Sequence, residues 1–297
     1  MKCDLCPRKC LVDRKKGEKG ICGQTENLKV ARAALHFWEE PCISGDAGSG
    51  AVFFSGCPLH CVFCQNENIA NGMVGKEISL ERLVDIFLEL QEKRANNINL
   101  VTPGHFVPQI VKALDQARRE GLTLPVVYNT SSYETVETIK RLEDYVDIYL
   151  PDFKYMSPGL SKKYSHAPDY AEVAKAAIAE MVRQTGKAVF VNGDEDNLIL
   201  RGTIVRHLTL PGCMADSMQI LKYLHETYGD MIYISIMNQF TPLSNLEKYP
   251  ELNRRITDEE YETLVDYAIE IGIENGFIQE GDTAEESFIP AFDCEGV

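Results

Sequence analysis

Cys57-Pro-Leu-His-Cys61-Val-Phe-Cys64 places three thiols within eight residues, directly after the apolar run Ala51-Val-Phe-Phe-Ser55 and a glycine. Thiolates are soft ligands, suited to iron–sulfur clusters, zinc or Cu(I). A four-iron cluster ordinarily takes four cysteines. Three leave one iron open, and an open iron can bind and activate a substrate. A structural zinc site wants four ligands, which weighs against the alternative of a non-enzymatic zinc-binding scaffold.

A second thiol group lies at the start: Cys3-x2-Cys6-Pro7-Arg8-x-Cys10, then Cys22-Gly23 after a basic, glycine-punctuated stretch. Four thiols in turn-like sequence suit a small metal knuckle, either a structural zinc site or a second iron–sulfur cluster. Eight of the ten cysteines fall in the first 64 residues, in tight clusters. No apolar stretch of the secretory kind opens the chain, so a reducing, cytoplasmic location is expected and metal binding is preferred over disulfides.

Net charge is −15, with 45 acidic against 30 basic residues. That balance argues against DNA or an anionic membrane as the main partner, since both call for basic surface. No apolar run is long enough for a transmembrane helix.

The elements that must position the thiols follow from the apolar pattern. Strand-like runs at 51–55, 98–102, 125–130, 146–151, 188–192, 204–210 and 232–237 are mostly apolar, as expected for parallel strands covered on both faces. Helical patterns lie between them: one capped by Ser79, then 108–120, 133–142, 170–185 and 216–228. Repeated βα units imply a parallel sheet with right-handed crossovers. Their number suits an α/β fold built as a partial (β/α)6 TIM-like barrel, with a doubly wound sheet as the alternative. The expected division is a Cys-rich N-terminal segment over 1–45, the partial barrel over 46–245 and a C-terminal helical extension over 246–297. The extension contains the capping box Thr257-Asp-Glu-Glu260 and an acidic tail from Gln279 holding Cys294. A short strand is expected around Lys29 to Ala33. Trp38 is expected to pack the knuckle onto the main body, and Glu39, Glu40 and Cys42 read as surface or core rather than catalytic.

In such a barrel the chemistry sits at the C-terminal ends of the strands. The thiol triplet follows the first strand. Asn99, Thr102 and His105 follow the second, and Asn129, Thr130 and Ser131 the third. Asp152 and Lys154 follow the fourth, Asn192 closes the fifth, Arg206 lies on the sixth, and Asn238 with Gln239 closes the seventh.

These residues carry a resemblance. Cys57-x3-Cys61-x-Phe63-Cys64, with the preceding Phe-Ser-Gly and the following Gln65-Asn66, resembles the signature of the radical S-adenosylmethionine superfamily. Cys-x2-Cys-Pro-Arg-x-Cys at the start, Glu40-Pro-Cys-Ile-Ser-Gly45, Asn99-Leu-Val-Thr-Pro103 and Leu150-Pro-Asp-Phe-Lys154 extend the likeness over almost the whole chain, to a branch of pyruvate formate-lyase activating enzyme homologues. The resemblance implies a [4Fe-4S] cluster on Cys57, Cys61 and Cys64, and S-adenosylmethionine as the second cofactor. It also implies one-electron cleavage to a 5′-deoxyadenosyl radical that abstracts a hydrogen atom. Phe63 would contact the adenine. Asn99 to Pro103 stands where the superfamily has a Gly-Gly-Glu-Pro-like motif for the amino group; the acid is missing, and Thr102 with backbone carbonyls takes its place. Asn129 and Thr130 stand near the ribose or a cation site, Asp152 and Lys154 match the family's Asp-Leu-Lys, and Arg206 is a candidate for the carboxylate. Asn238-Gln239-Phe240 replaces the activating enzymes' Pro-Tyr-His. No catalytic residue is assigned. The implied partners are a flavodoxin- or ferredoxin-like electron donor and a glycyl radical enzyme whose glycine is activated. A small-molecule or peptide substrate is the alternative.

Overall fold

The computed structural model describes residues 2–194, 197–242, 246–279 and 290–297. The expected domain boundary at 245 and most of the acidic tail, 280–289, lie outside the described residues. In chain order the strands are β1 (Leu28–His36), β2 (Ser49–Phe54), β3 (Lys76–Ile78), β4 (Ile98–Val101), β5 (Val126–Thr130), β6 (Ile148–Pro151), β7 (Val189–Phe190), β8 (Ile199–Leu208), β9 (Tyr233–Met237) and β10 (Gly276–Ile278). The α-helices are α1 (Pro41–Ser44), α2 (Glu67–Ala70), α3 (Leu80–Glu92), α4 (Val107–Arg119), α5 (Val136–Lys140), α6 (Pro158–Ser165), α7 (Tyr170–Thr185), α8 (Met214–Tyr228) and α9 (Asp258–Glu270).

The strands run β10-β9-β8-β6-β5-β4-β2-β1-β3 across one sheet, with β7 hydrogen-bonded to β8. From β2 to β10 every neighbouring pair in that order is parallel, while β1 pairs antiparallel with both β2 and β3. The sheet ends on two different edge strands, so it is an open, partial barrel, as the sequence suggests. Every residue of β2, β4, β5, β6 and β9 is buried, because helices and loops cover both faces of a parallel sheet.

Three expectations need correction. The run 188–192 is not a barrel strand: β7 is two residues long, pairs antiparallel with β8, and leads into a tight turn in which Asn192 has φ 58°. Asn192 is therefore exposed and does not join the ring of strand ends. Its apolar look comes from Phe190, which packs on Tyr233. The place of the missing strand is taken by β8, which starts at Ile199, earlier than its apolar run. The C-terminal segment is more than helical, since β10 extends the sheet and Tyr261 of α9 pins it. The Tyr261 hydroxyl donates to Ile236 O at 2.8 Å and accepts from Gln279 N at 2.8 Å. Residues 290–297 return to β1, where Ala33 N donates to Glu295 O and Arg32 pairs with Asp293 and Glu295. Cys294 sits there, its backbone N bonded to Ala31 O.

Helix α3 illustrates how local sequence sets an element. Ser79 accepts from Arg82 N at the N-terminus, and Leu83, Val84, Ile86, Phe87 and Leu90 form its buried stripe, the apolar face an amphipathic helix needs. Helix α9 carries the expected Thr257/Glu260 capping box.

Candidate active site

The loop after β2 bears Cys57, Cys61 and Cys64 and lines a cavity of about 340 Å³ at the C-terminal ends of the parallel strands. Phe63, Thr102, Asn129, Thr130, Asp152 and Arg206 line it too, as do Lys154, Ser131 and Gln239. Asn99 does not. It is fully buried one layer below, its Nδ2 donating to Glu39 at 3.0 Å while its Oδ1 finds no partner. His105 is likewise buried off the cavity, its Nε2 bonded to Ser55 O at 2.7 Å.

The thiols are held as acceptors. Leu59 N approaches Cys57 Sγ at 3.5 Å, Ser165 Oγ donates to Cys61 Sγ at 3.0 Å, and the Asn66 backbone N–H serves Cys64. Burial, then the neighbouring thiols, push Cys57 up to about 11 and Cys64 up to about 12. The bare thiols thus stay protonated, and bound metal would convert them to thiolates. Three backbone- and hydroxyl-supported sulfurs facing a cavity fit a three-cysteine cluster with one open corner. Among the described residues no set of His, Cys, Asp or Glu is drawn together tightly enough to count as a preformed metal cage.

The charged floor of the cavity centres on Arg206. Its Nε donates to Asp152 at 3.0 Å, one Nη to Glu39 at 2.8 Å and the other to Asn129 Oδ1 at 2.8 Å. Glu39 Oε1 also accepts from Asn129 Nδ2 at 3.1 Å. Asp152 takes a second cation, Lys154 Nζ at 2.6 Å. Burial alone would raise the Asp152 carboxyl, but Lys154 and Arg206 outweigh it and hold the carboxyl below its usual range. Glu40, buried beside them, is pushed up by desolvation, and its Oε2 has no hydrogen-bond partner.

Sequence reasoning missed Glu39, which was set aside as surface or core. The signal available was the acid absent from 99–103: Asn99 and Asn129 now turn their amides to a carboxylate from another segment. Trp38 is also corrected. It is 60% exposed and lines the cavity. Cys42 lies in the core, as one of the expected readings had it. Thr130 lines the cavity, yet its hydroxyl donates to the buried Glu134 at 2.9 Å. Phe63 packs edge-on against Phe240, with centroids 6.0 Å apart, and Gln65 Nε2 holds Gln239 O at 2.9 Å.

The N-terminal knuckle is clasped to the thiol loop. Arg8 donates to Pro58 O at 2.8 Å and to His166 O at 2.6 Å, and His60 Nε2 meets Ile21 O at 2.7 Å. Within the knuckle, Ile21 N approaches Cys10 Sγ at 3.3 Å, and backbone N–H groups of Arg8 and Gln24 serve Cys6 and Cys22. Cys22 lies near both Cys3 and Cys10, and Cys6 near Cys10 and Cys22. All four are free thiols.

Comparison with known proteins bears on the family and the fold. The model of the radical SAM superfamily matches residues 51–198. An uncharacterized protein of Methanocaldococcus jannaschii is 27% identical over 275 residues, covering 90% of this chain and 74% of its own length. Streptococcus suis SuiB, solved with S-adenosylmethionine, superposes with a TM-score of 0.52 at 13% identity over 76% of this chain and 48% of SuiB. HydG, a maturase of the [FeFe]-hydrogenase, gives 0.51 at 16% identity over 78% of this chain and 52% of HydG. The chain thus spans about half the length of these two enzymes, and at such identities the likeness is one of fold. The family match itself places the domain over residues 51–198, which begins in β2, in the radical SAM superfamily.

Proposed function

We propose that this chain is a radical S-adenosylmethionine enzyme that holds a [4Fe-4S] cluster on Cys57, Cys61 and Cys64, and that its hydrogen donor is a protein or peptide segment, as in a glycyl radical activase. When bound, the cluster and S-adenosylmethionine supply one-electron cleavage of a carbon–sulfur bond and a 5′-deoxyadenosyl radical. The chain's own residues bind and orient. Phe63 and Phe240 offer an apolar wall for the adenine. Arg206 is committed to two carboxylates and an amide, whereas the Lys154 ammonium gives one N–H to Asp152 and carries two more, so Lys154 is the better group for the methionyl carboxylate. Backbone at Thr102, which has φ 55°, with Glu40 at hand, suits the amino group in place of the missing acid.

The observation that carries the substrate reading is the size of the cavity. About 340 Å³ lies at the small end of the roughly 300–1,000 Å³ typical of ligand pockets, so one nucleoside-sized cofactor fills most of it. The hydrogen donor then comes to the mouth, where Trp38 and Ile278 stand 60% and 50% exposed. A partner-borne glycine fits that arrangement better than a small molecule held deep inside. The knuckle thiols Cys3, Cys6, Cys10 and Cys22 suit zinc or an auxiliary cluster.

Anaerobic reconstitution followed by measurement of 5′-deoxyadenosine under dithionite tests the chemistry. Electron paramagnetic resonance with candidate glycyl radical enzymes tests the substrate. Nucleoside formation with no protein-borne radical, but with turnover stimulated by a metabolite, would move the assignment to a small-molecule enzyme.

A further inference from the structure

The thiol loop is a wall with two sides. Cys61 and Cys64 line the cavity and also a second recess of about 270 Å³, lined further by His60, Val62, Lys248 and Tyr249, with Glu67, Ala70 and Asn71. Beside this outer recess sits the N-terminal knuckle, held to His60 through Ile21 O. Gly23 of the knuckle lies against the Asn71 carbonyl, so the knuckle borders the recess on a second side.

The charge of this region is opposite to that of the rest. Residues 2–23 carry seven Lys and Arg against three Asp and Glu, a surplus of four, in a chain of net charge −15. Lys2, Lys9, Lys15, Lys16 and Lys19 are exposed. The ion pairs of Lys15 with Glu26 and Lys16 with Asp13 are long, 3.9 Å each. Apolar side chains stand out among them: Leu11 is 52%, Ile21 49% and Met73 67% exposed. Exposed lysines and exposed apolar side chains in one small region favour an acidic protein surface, because opposite potentials steer encounter and set orientation.

We propose that this outer face is the docking surface for an acidic one-electron carrier protein, which delivers its electron to the thiol loop from the side opposite the cavity. The inference rests on the cluster assignment above. One electron leaves the reduced carrier, which is oxidised by one electron, and the centre held by the loop is reduced by one; no bond is made and no proton moves. Substrate and reductant then approach opposite sides of one wall and do not compete for the cavity mouth. The face on this chain, rather than the need for a donor, is the new element. A nucleic acid would share the attraction to lysine, but it would gain little from the exposed Ile21 and Met73.

The test is binding of oxidised flavodoxin and of a two-iron plant-type ferredoxin, both acidic carriers, to the full chain, read by calorimetry across a salt series. The variant is Lys19→Glu/Lys248→Glu, and the control is Lys187→Glu/Lys222→Glu, which changes total charge equally just before β7 and on α8. The docking variant should weaken carrier binding at least tenfold at low salt and flatten its salt dependence. The control should stay within about twofold of the parent chain, because neither lysine belongs to the knuckle or lines the recess and exposed charges away from a contact are screened by salt. Dithionite-driven 5′-deoxyadenosine formation should be the same in all three. Equal weakening in variant and control, unchanged binding in the docking variant, or preference for a mixed-sequence RNA oligonucleotide over both carriers overturns the proposal. Absence of nucleoside in the parent chain under dithionite would instead overturn the cluster chemistry, while the binding series still decides the docking face.

Discussion

The Glu39–Arg206 pair offers the sharpest test of how the cavity floor is built. Its side chains are only 7% and 14% exposed, so water screens the pair poorly. Arg206→Met removes a cation that faces both Glu39 and Asp152 and deletes three hydrogen bonds. Stripping one partner from a buried pair costs about 3–5 kcal/mol. Glu39→Gln keeps an acceptor for Asn99 and Asn129 but turns a donor or a neutral oxygen to the guanidinium, which costs about 2 kcal/mol for a lost charge-assisted bond. If the pair is one unit, the double variant should fall short of the summed losses by about 2 kcal/mol. Guanidinium melts of the metal-free chain, followed by circular dichroism at pH 7, measure all four corners of the cycle. A coupling within about 0.5 kcal/mol of zero would refute the account, and with it the idea that Glu39 takes part in positioning Asn129.

Other expectations are equally direct. Cys61→Ser should lower iron in the reconstituted chain by about four atoms, while Cys6→Ser/Cys22→Ser should remove only what the knuckle holds, by metal analysis zinc or a further set of irons. Gly56→Ala should loosen the clasp, because Gly56 has φ +93° and a Cβ there would lie 2.5 Å from Cys22 O; about 1–3 kcal/mol of strain should appear as a lower melting temperature and faster hydrogen exchange over residues 2–23. His207, buried between Phe153 O and Ser217 Oγ, is lowered from 6.5 to about 4, chiefly by burial. The unfolded chain therefore binds this proton first, so stability present above pH 6.5 is lost as pH falls toward 4, by up to about 3 kcal/mol. His207→Gln should flatten that slope in melts between pH 7 and 4, and an unchanged slope would exclude this histidine as its source.

Much of this arrangement is legible in the residues themselves. Runs such as Ile98–Val101 and Val126–Thr130 are apolar throughout because both faces of a parallel strand are covered, and the thiol triplet announces itself by spacing. What pattern cannot show is pairing between distant segments. The run around Phe190 looks like a core strand because it packs on Tyr233, although its backbone merely turns back along β8. Glu39 looks like a surface charge next to an exposed Trp38. Only the fold reveals that β1 and α1 carry it over the ends of β4 and β5. The short β10 has three residues and no distinctive pattern; its place comes from Tyr261, 15 positions earlier.

The clasp between Arg8 and the thiol loop also bears on the order in which the molecule comes together. Cys57 to Cys64 spans eight residues, so gathering its thiols closes only a short loop and costs little chain entropy. Arg8 reaches across 50 positions to Pro58 and 158 to His166, contacts that form late because such long loops must close first. The segment is thus a local chelator before it is part of a tertiary structure. Iron supplied while the chain is still open meets accessible thiols, whereas iron supplied afterwards meets thiols already fastened behind the knuckle. Loading during synthesis and loading of the finished protein should therefore differ in rate, with the clasp setting the difference.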